Sequence, residues 1–351
     1  MRRRFSRPVT IGGVVVGGGS PVVVQSMTKT DTRDVAATIR QVRELEEVGC
    51  QMVRVAVPDA QAAQAIASIK KAIHIPLIAD IHFDYRLALL SLEAGADALR
   101  LNPGNIGGRD RVARVVAAAK ERQAPIRIGV NAGSLPHDLT GPLPQRLAQA
   151  ALRGVTYLES LDFELIKVSA KAFEVPATIE ANRLLAQAMP YPLHLGITEA
   201  GTPGAGTVRS AIGIGILLYE GIGDTIRVSL TTLDPREEVV AGKEILKSLE
   251  LEAGPVLVSC PTCGRCEVPD LPRLAQAVEA RLAGLECPLK VAVMGCVVNG
   301  PGEARQADVG IACGQGRGAL FSRGQIIRTL EEKDLLPALL AEVERLAREA
   351  G

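Results

Sequence analysis

The sequence predicts a (β/α)8 TIM barrel followed by a smaller α+β domain. Three observations carry that reading. Short β-branched runs alternate with helical stretches through the first two thirds of the chain. The runs recur at intervals of roughly 20 to 40 residues. After Leu249 the texture changes, and six of the seven cysteines follow. Strands are predicted at 22–26, 52–57, 77–82, 98–102, 126–131, 165–171, 193–198 and 225–230. Between them lie stretches of helical period, such as 34–48, 61–71, 86–93, 109–122 and 178–189, with 235–248 as the last helix. Strand then helix, repeated eight times, is the pattern of a closed parallel barrel. A doubly wound open sheet would be the competing architecture, but no strand is followed by a GxGxxG turn opening a helix. The glycine-rich opening, 11–21, is expected to form a hairpin that plugs the bottom of the barrel.

Residues 1–253 are therefore assigned to the barrel and 254–351 to the second domain. In the latter, a strand at 256–259 leads into cysteines, a helix spans 271–283, and a strand at 289–294 ends in Gly295-Cys296. A strand at 308–312, a glycine-rich turn at 314–318, a short strand at 319–321 and a helix at 334–349 complete it.

Composition excludes several classes of function. Forty Lys and Arg stand against 39 Asp and Glu, a net charge of +1, so the global basic field of a nucleic-acid binder is absent. Aromatic residues make up 3% of the chain, with no Trp, which removes stacking platforms for single-stranded bases. The basic start at Met1 to Arg4 leads into no apolar run of signal-peptide length, and no segment reaches the ~18 apolar residues of a spanning helix. No membrane partner is expected, and the predicted location is the cytoplasm. The clustered, odd-numbered cysteines point to metal or redox chemistry in a reducing compartment rather than to disulfides.

Barrel strands covered on both faces should read as continuous apolar runs. These do not. Val53-Arg54-Val55, Leu99-Arg100-Leu101-Asn102, Ile126-Arg127-Ile128-Gly129-Val130-Asn131, Ile166-Lys167-Val168-Ser169-Ala170-Lys171 and Ile226-Arg227-Val228-Ser229 place their polar residues on one parity. With helices outside, that side is the barrel interior and its mouth. Asp80, His82, His194 and Thr198, with Glu199 next, add to it from two further strands. Burying unpaired cations costs several kcal/mol per ion. Internal salt bridges could neutralise them, but Asp80 and Glu199 are the evident strand-borne acids. The alternative is a strongly anionic ligand, and several arginines together suit a diphosphate better than one carboxylate. The loop from Asn102 to Gly108 offers backbone N–H donors near a helix start, a common phosphate device.

Cys260-Pro261-Thr262-Cys263 turns off one strand end, and Cys296 follows the next. Such a pair of loops can serve a redox dithiol, a zinc half-site or an iron–sulfur half-site. No His lies beyond residue 194 to complete a zinc site, which favours iron–sulfur. For a fourth ligand the spacing leaves two choices. Cys266 would complete an all-cysteine set suited to electron transfer, whereas Glu303 would leave an iron with an exchangeable oxygen ligand. Cys50, Cys287 and Cys313 are expected to be small apolar fillers.

Seven segments carry a family resemblance: Gln25-Ser26-Met27-Thr28, Ala79-Asp80-Ile81-His82-Phe83-Asp84-Tyr85-Arg86, 102–107, 127–134, 194–201, 260–263 and 296–303. Together they resemble bacterial 4-hydroxy-3-methylbut-2-enyl diphosphate synthase of the non-mevalonate isoprenoid pathway, over almost the whole chain. The resemblance implies a barrel that binds 2-C-methyl-D-erythritol 2,4-cyclodiphosphate and a C-terminal domain with a 4Fe-4S cluster held by Cys260, Cys263, Cys296 and Glu303. It implies two-electron reductive ring opening and dehydroxylation, with flavodoxin or ferredoxin as electron donor. It also implies a homodimer in which the cluster of one subunit faces the barrel of the other. On that reading Arg54, Arg100, Asn102, Arg127, Asn131, Ser169, Lys171 and Ser229 bind substrate. Glu199 is the candidate proton donor, supported by His194 or His82. Cys266 departs from the family, where that position need not be cysteine. The competing reading is a non-enzymatic iron–sulfur sensor or carrier whose barrel only binds an anion.

Overall fold

A computed structural model describes residues 2–102, 106–283, 285, 287–314 and 316–350. The chain divides into two compact units, 1–251 and 252–351. The first begins with an antiparallel hairpin, β1 (Val9–Ile11) and β2 (Val14–Val16). Gly12 and Gly13 close its two-residue turn, both at positive φ, the conformation such a turn demands.

Eight parallel strands and eight helices follow. They run β3 (Val23–Met27), α1 (Val35–Glu47), β4 (Met52–Ala56), α2 (Ala60–Lys70), β5 (Leu77–Asp80), α3 (Tyr85–Glu93), β6 (Ala98–Leu101) and α4 (Arg109–Glu121). They continue β7 (Ile126–Asn131), α5 (Leu143–Glu159), β8 (Ile166–Lys171), α6 (Val175–Ala188), β9 (His194–Leu195), α7 (Pro203–Tyr219), β10 (Thr225–Ile226) and α8 (Arg236–Ser248). The sheet order is β8-β7-β6-β5-β4-β3-β10-β9, and a parallel bridge between Val168 and Leu193 joins its two ends. This is the TIM barrel the sequence predicts.

Local sequence explains the joints. Asp34, Asp59 and Asp84 cap α1, α2 and α3, each accepting from a backbone N–H of the first turn. Outward strand residues such as Val53, Val55, Leu99, Ile128 and Val168 pack on the helices in one continuous core. Inward residues Val23, Met52, Ile78 and Ala98, at the strand starts, form a separate apolar cluster with Val9, Ile11 and Val16 of the hairpin. The expected plug is therefore present, beginning two residues earlier in the sequence than expected.

β9 and β10 pair over only 2 residues each, where six were expected. A side chain on Gly196 would collide with the Arg227 carbonyl and the Lys171 ammonium, so the backbone there runs close to its neighbours instead of continuing the ladder.

The second unit holds a five-stranded sheet: β11 (Val256–Ser259), β12 (Lys290–Met294), β13 (Val309–Gly314), β14 (Arg317–Ser322) and β15 (Gln325–Glu331). The first three are parallel and the last two antiparallel. Helices α9 (Leu271–Leu282) and α11 (Glu332–Ala350) bury Leu271, Val278, Leu335, Leu339 and Val343 against Val291, Val293, Val309 and Ile311. On the opposite parity of the sheet, α10 (Gly300–Gln306) packs Ala304 against Ala292, Met294, Ala312 and Phe321. Sequence reading missed α10 and β15. The first opens with Gly-Pro-Gly, which reads as a turn, and the second is an edge strand with an almost wholly exposed pattern. Among the described residues no helix is long and apolar enough to cross a membrane.

Candidate active site

The inward parity of the barrel strands carries charge above the apolar plug. Strand register places Asp80 beside Arg100, Arg100 beside Arg127, and Arg127 beside Lys167. Asp80 is buried and central. Its carboxylate accepts from Arg100 Nη1 at 3.1 Å, pairs with Arg54 Nε at 3.3 Å, and lies 3.6 Å from His82 Nε2. Burial opposes its ionisation, but Arg54, His82 and Arg100 outweigh that cost and hold the carboxyl well below its ordinary range. Arg100 also donates to the Gly129 carbonyl at 3.0 Å, and its guanidinium occupies the space that any side chain at 129 would need. Burial lowers the Arg54 guanidinium to about 10 against the opposing pull of Asp80.

The remaining cations are less well served. Arg127 Nη1 donates to Ser169 Oγ at 2.6 Å, while its Nε and Nη2 are buried without a hydrogen bond. Lys167 Nζ is buried with no partner, and Lys171 makes no hydrogen bond or ion pair among the described residues. Burial, then neighbouring cations, pushes Arg127, Lys167 and Lys171 well below their ordinary values. An arginine does not give up its proton, so at Arg127 this strain persists as attraction for an anion.

Arg227 finds a carboxylate that sequence reading missed. Glu238 of α8 is buried, accepts from Leu230 N at 2.9 Å, and lies 3.7 Å from Arg227 Nη2 and 3.3 Å from Lys29 Nζ. Nothing in the sequence marks it, because acids are ordinary in the first turn of any helix.

His194 is fully buried, with Nδ1 2.8 Å from Thr225 Oγ1 and Nε2 unpartnered. Burial, Lys171 and Arg127 push its pKa well below the usual value, so the ring is neutral near pH 7. Glu199 is exposed, holds a positive φ, and makes no ion pair among the described residues, so it does not neutralise the arginines. Positive φ in a non-glycine residue is sparsely populated and concentrates at functional sites. Asn131 is in register with Lys171, and Asn131 and Ser229 are half-buried. Asn102 is buried at the end of β6; of the loop after it, 103–105 lie outside the described residues. A groove of about 780 Å³ between α7 and α8 contains none of these strand charges and is lined largely by apolar side chains such as Val240 and Ile245.

In the second unit β11 and β12 are parallel neighbours, so Cys260 and Cys296 emerge from the same sheet end, and Cys260 N donates to Val293 O at 3.0 Å. The chain after Cys296 folds back so that the amides of Asn299, Gly300 and Val298 face its sulfur and lower the thiol pKa. Thr262, inside the Cys260–Cys263 turn, takes a positive φ. Cys263 and Glu303 are exposed and Cys260 is half-buried. Among the described residues no group of three or more His, Cys, Asp or Glu is arranged to hold a metal ion. Cys50 and Cys313 are buried, with thiols raised by burial to about 11 and about 12, as fillers should be; Cys287 is only partly buried.

The description "GcpE TIM-barrel domain" matches residues 6–243, and "GcpE protein C-terminal domain" matches 256–345. The chain belongs to the GcpE family. Relatives of this GcpE chain named 4-hydroxy-3-methylbut-2-en-1-yl diphosphate synthase (flavodoxin) include one from Dehalococcoides mccartyi, 59% identical over 98% of this chain and 99% of that protein. Those of Geobacter sulfurreducens, at 57% over 98% of each, and Clostridium perfringens, at 54% over 99% and 100%, bear the same name. The resemblance read from the seven motifs is borne out. Among solved structures the GcpE barrel is similar to dihydropteroate synthase from Stenotrophomonas maltophilia (TM-score 0.54, 14% identity, 70% of this chain and 98% of that one). It is also similar to 3-dehydroquinate dehydratase from Geobacillus kaustophilus (TM-score 0.51, 14% identity, 71% and 98%). At such identity these likenesses concern the fold alone.

Proposed function

We propose that this chain reductively opens 2-C-methyl-D-erythritol 2,4-cyclodiphosphate and removes a hydroxyl as water, giving (E)-4-hydroxy-3-methylbut-2-enyl diphosphate. The reaction takes up two electrons, delivered by flavodoxin or ferredoxin, and the protons that balance them. The observation that carries the reading is the uncompensated charge of Arg127 inside the barrel of a chain 59% identical to a named synthase.

Arg127 and Lys171 grip the diphosphate, and Arg54 and Arg100, oriented by Asp80, complete the anion site. Asn102, Asn131, Ser169 and Ser229 supply neutral hydrogen bonds around it. His194, neutral and fixed by Thr225, serves as a hydrogen-bonding group, which leaves Glu199 at the mouth as the proton donor to the departing hydroxyl. Glu199→Gln should lower kcat by about 100-fold or more with cluster content unchanged, and near-normal turnover would exclude Glu199 as the acid.

Three thiols and a carboxylate are the donor types of an iron–sulfur cluster; Cys260 and Cys296 leave the same sheet end, and three amides face the Cys296 sulfur, as suits a thiolate ligand. Cys260, Cys263, Cys296 and Glu303 would hold a 4Fe-4S cluster, which when bound supplies single electrons and a Lewis-acidic iron. The enzyme is cytoplasmic and a homodimer, with the cluster of one subunit meeting the barrel of the other. Mixing Cys296→Ser subunits with Arg127→Ala subunits should restore activity that neither has alone; no restoration argues against shared sites. The reading as a whole is tested by anaerobic reconstitution and assay on the cyclodiphosphate under a strong reductant. A loaded cluster without turnover would return the anion-binding carrier as the better account.

A further inference from the structure

We propose that Met27 is a positioning residue of the anion site: its thioether sulfur is a neutral acceptor shared by Arg54 and Arg227, holding the two guanidiniums in place without cancelling their charge. Met27 ends β3, which runs between β4 and β10, and it is in register with Arg54. Arg54 donates to its sulfur from Nε at 3.2 Å and from Nη2 at 2.9 Å, and Arg227 donates from Nη1 at 3.6 Å. Three N–H donors of two arginines thus converge on one uncharged atom. Each guanidinium has its own acid elsewhere: Asp80 lies 3.3 Å from Arg54 Nε, and Glu238 lies 3.7 Å from Arg227 Nη2. The contact the two arginines share is the sulfur.

The residue type decides what such a contact does. Like charges side by side repel, and Arg227 is among the cations that lower Arg54. A carboxylate at position 27 would hold both arginines but neutralise them, leaving less attraction for a substrate anion. A leucine would fill similar space and strip three N–H donors of their acceptor, next to an Arg227 Nε that is already buried without one. Thioether sulfur is polarisable and a weak acceptor, so it satisfies the donors without adding charge and yields them to a phosphate oxygen, which binds guanidinium more strongly. The effect on substrate rests on Arg54 binding the diphosphate, as proposed above, whereas the holding of the two guanidiniums does not.

The test compares full-length, cluster-loaded Met27→Leu, Met27→Gln and Met27→Glu chains with the unsubstituted one. Cyclodiphosphate binding is read by anaerobic calorimetry without reductant, turnover as KM and kcat, stability as the urea midpoint, and guanidinium positions by crystallography of the ligand-free chains. Leucine keeps the volume and loses the acceptor, whereas glutamine keeps an acceptor and loses the apolar fit, so a packing role and an acceptor role predict opposite orders. Binding should weaken about 3- to 10-fold in Met27→Leu, the loss of one or two hydrogen bonds, with the urea midpoint unchanged. KM should rise to match while kcat holds. Met27→Gln should bind more tightly than Met27→Leu, and Met27→Glu more weakly than either. Crystals of Met27→Leu should show Arg54 and Arg227 moved apart. Unmoved guanidiniums in that chain, unweakened binding by it, or weaker binding by Met27→Gln than by Met27→Leu would overturn the proposal. An unsubstituted chain that binds no cyclodiphosphate, with the guanidiniums displaced in Met27→Leu, would instead overturn the substrate reading and leave the positioning role standing.

Discussion

Arg127 concentrates the chemistry of the barrel in one side chain. It sits in a row of charged residues, has one neutral hydrogen bond, and keeps two buried N–H positions bare. Hydrogen bonds to a charged group are worth about 1.5 to 3 kcal/mol, so Arg127→Ala should weaken cyclodiphosphate binding by about 10- to 100-fold in calorimetry. Arg127→Lys should restore little of it, because an ammonium cannot present the planar fork. The inward cations themselves were legible in the sequence, since each interrupts an apolar strand at a fixed parity. Their partners were not. Asp80 was visible as a strand acid, but Glu238 reaches Arg227 from the first turn of the next helix, where an acid is ordinary, and only folding brings the two within 3.7 Å.

Elements are shaped around these side chains as much as by propensity. β7 keeps glycine at 129, where the Arg100 guanidinium lies across the strand and donates to the 129 carbonyl. Gly129→Ala should displace Arg100 from Asp80 and destabilise the barrel by about 1 to 3 kcal/mol, the usual range for overpacking, read as a lower urea midpoint. Gly196 acts likewise for β9, and this explains why two of the eight strands are shorter than their β-branched runs suggested. The helices α10 and β15's neighbour α11 illustrate the two sides of local reading. The long amphipathic α11 was visible in its periodicity, whereas α10 is built from turn-forming residues and exists because Ala304 packs under the sheet.

At the scale of the whole molecule, the buried ion network makes stability depend on pH. The Asp80 carboxyl is held below its unfolded value of about 4, so its contribution is complete above that value and is lost as pH falls toward the folded one. Urea midpoints should therefore fall between about pH 5 and 3. Asp80→Asn should be less sensitive in that window, and destabilised at neutral pH by about 3 to 5 kcal/mol, because Arg54 and Arg100 would lose their counter-charge. An equal acid slope in both chains would remove Asp80 from this account. The sequence by itself determined the barrel, the order of its strands, the inward parity of the cations and the grouping of the cysteines. These follow from periodicity and spacing, which are local properties. Tertiary structure alone decided which cations are neutralised and which are left bare for an anion, because ion pairing depends on distances of a few ångströms between residues far apart in the chain. It likewise decided that Cys266 turns its sulfur toward Gly295, which the CxxCxxC spacing could not show.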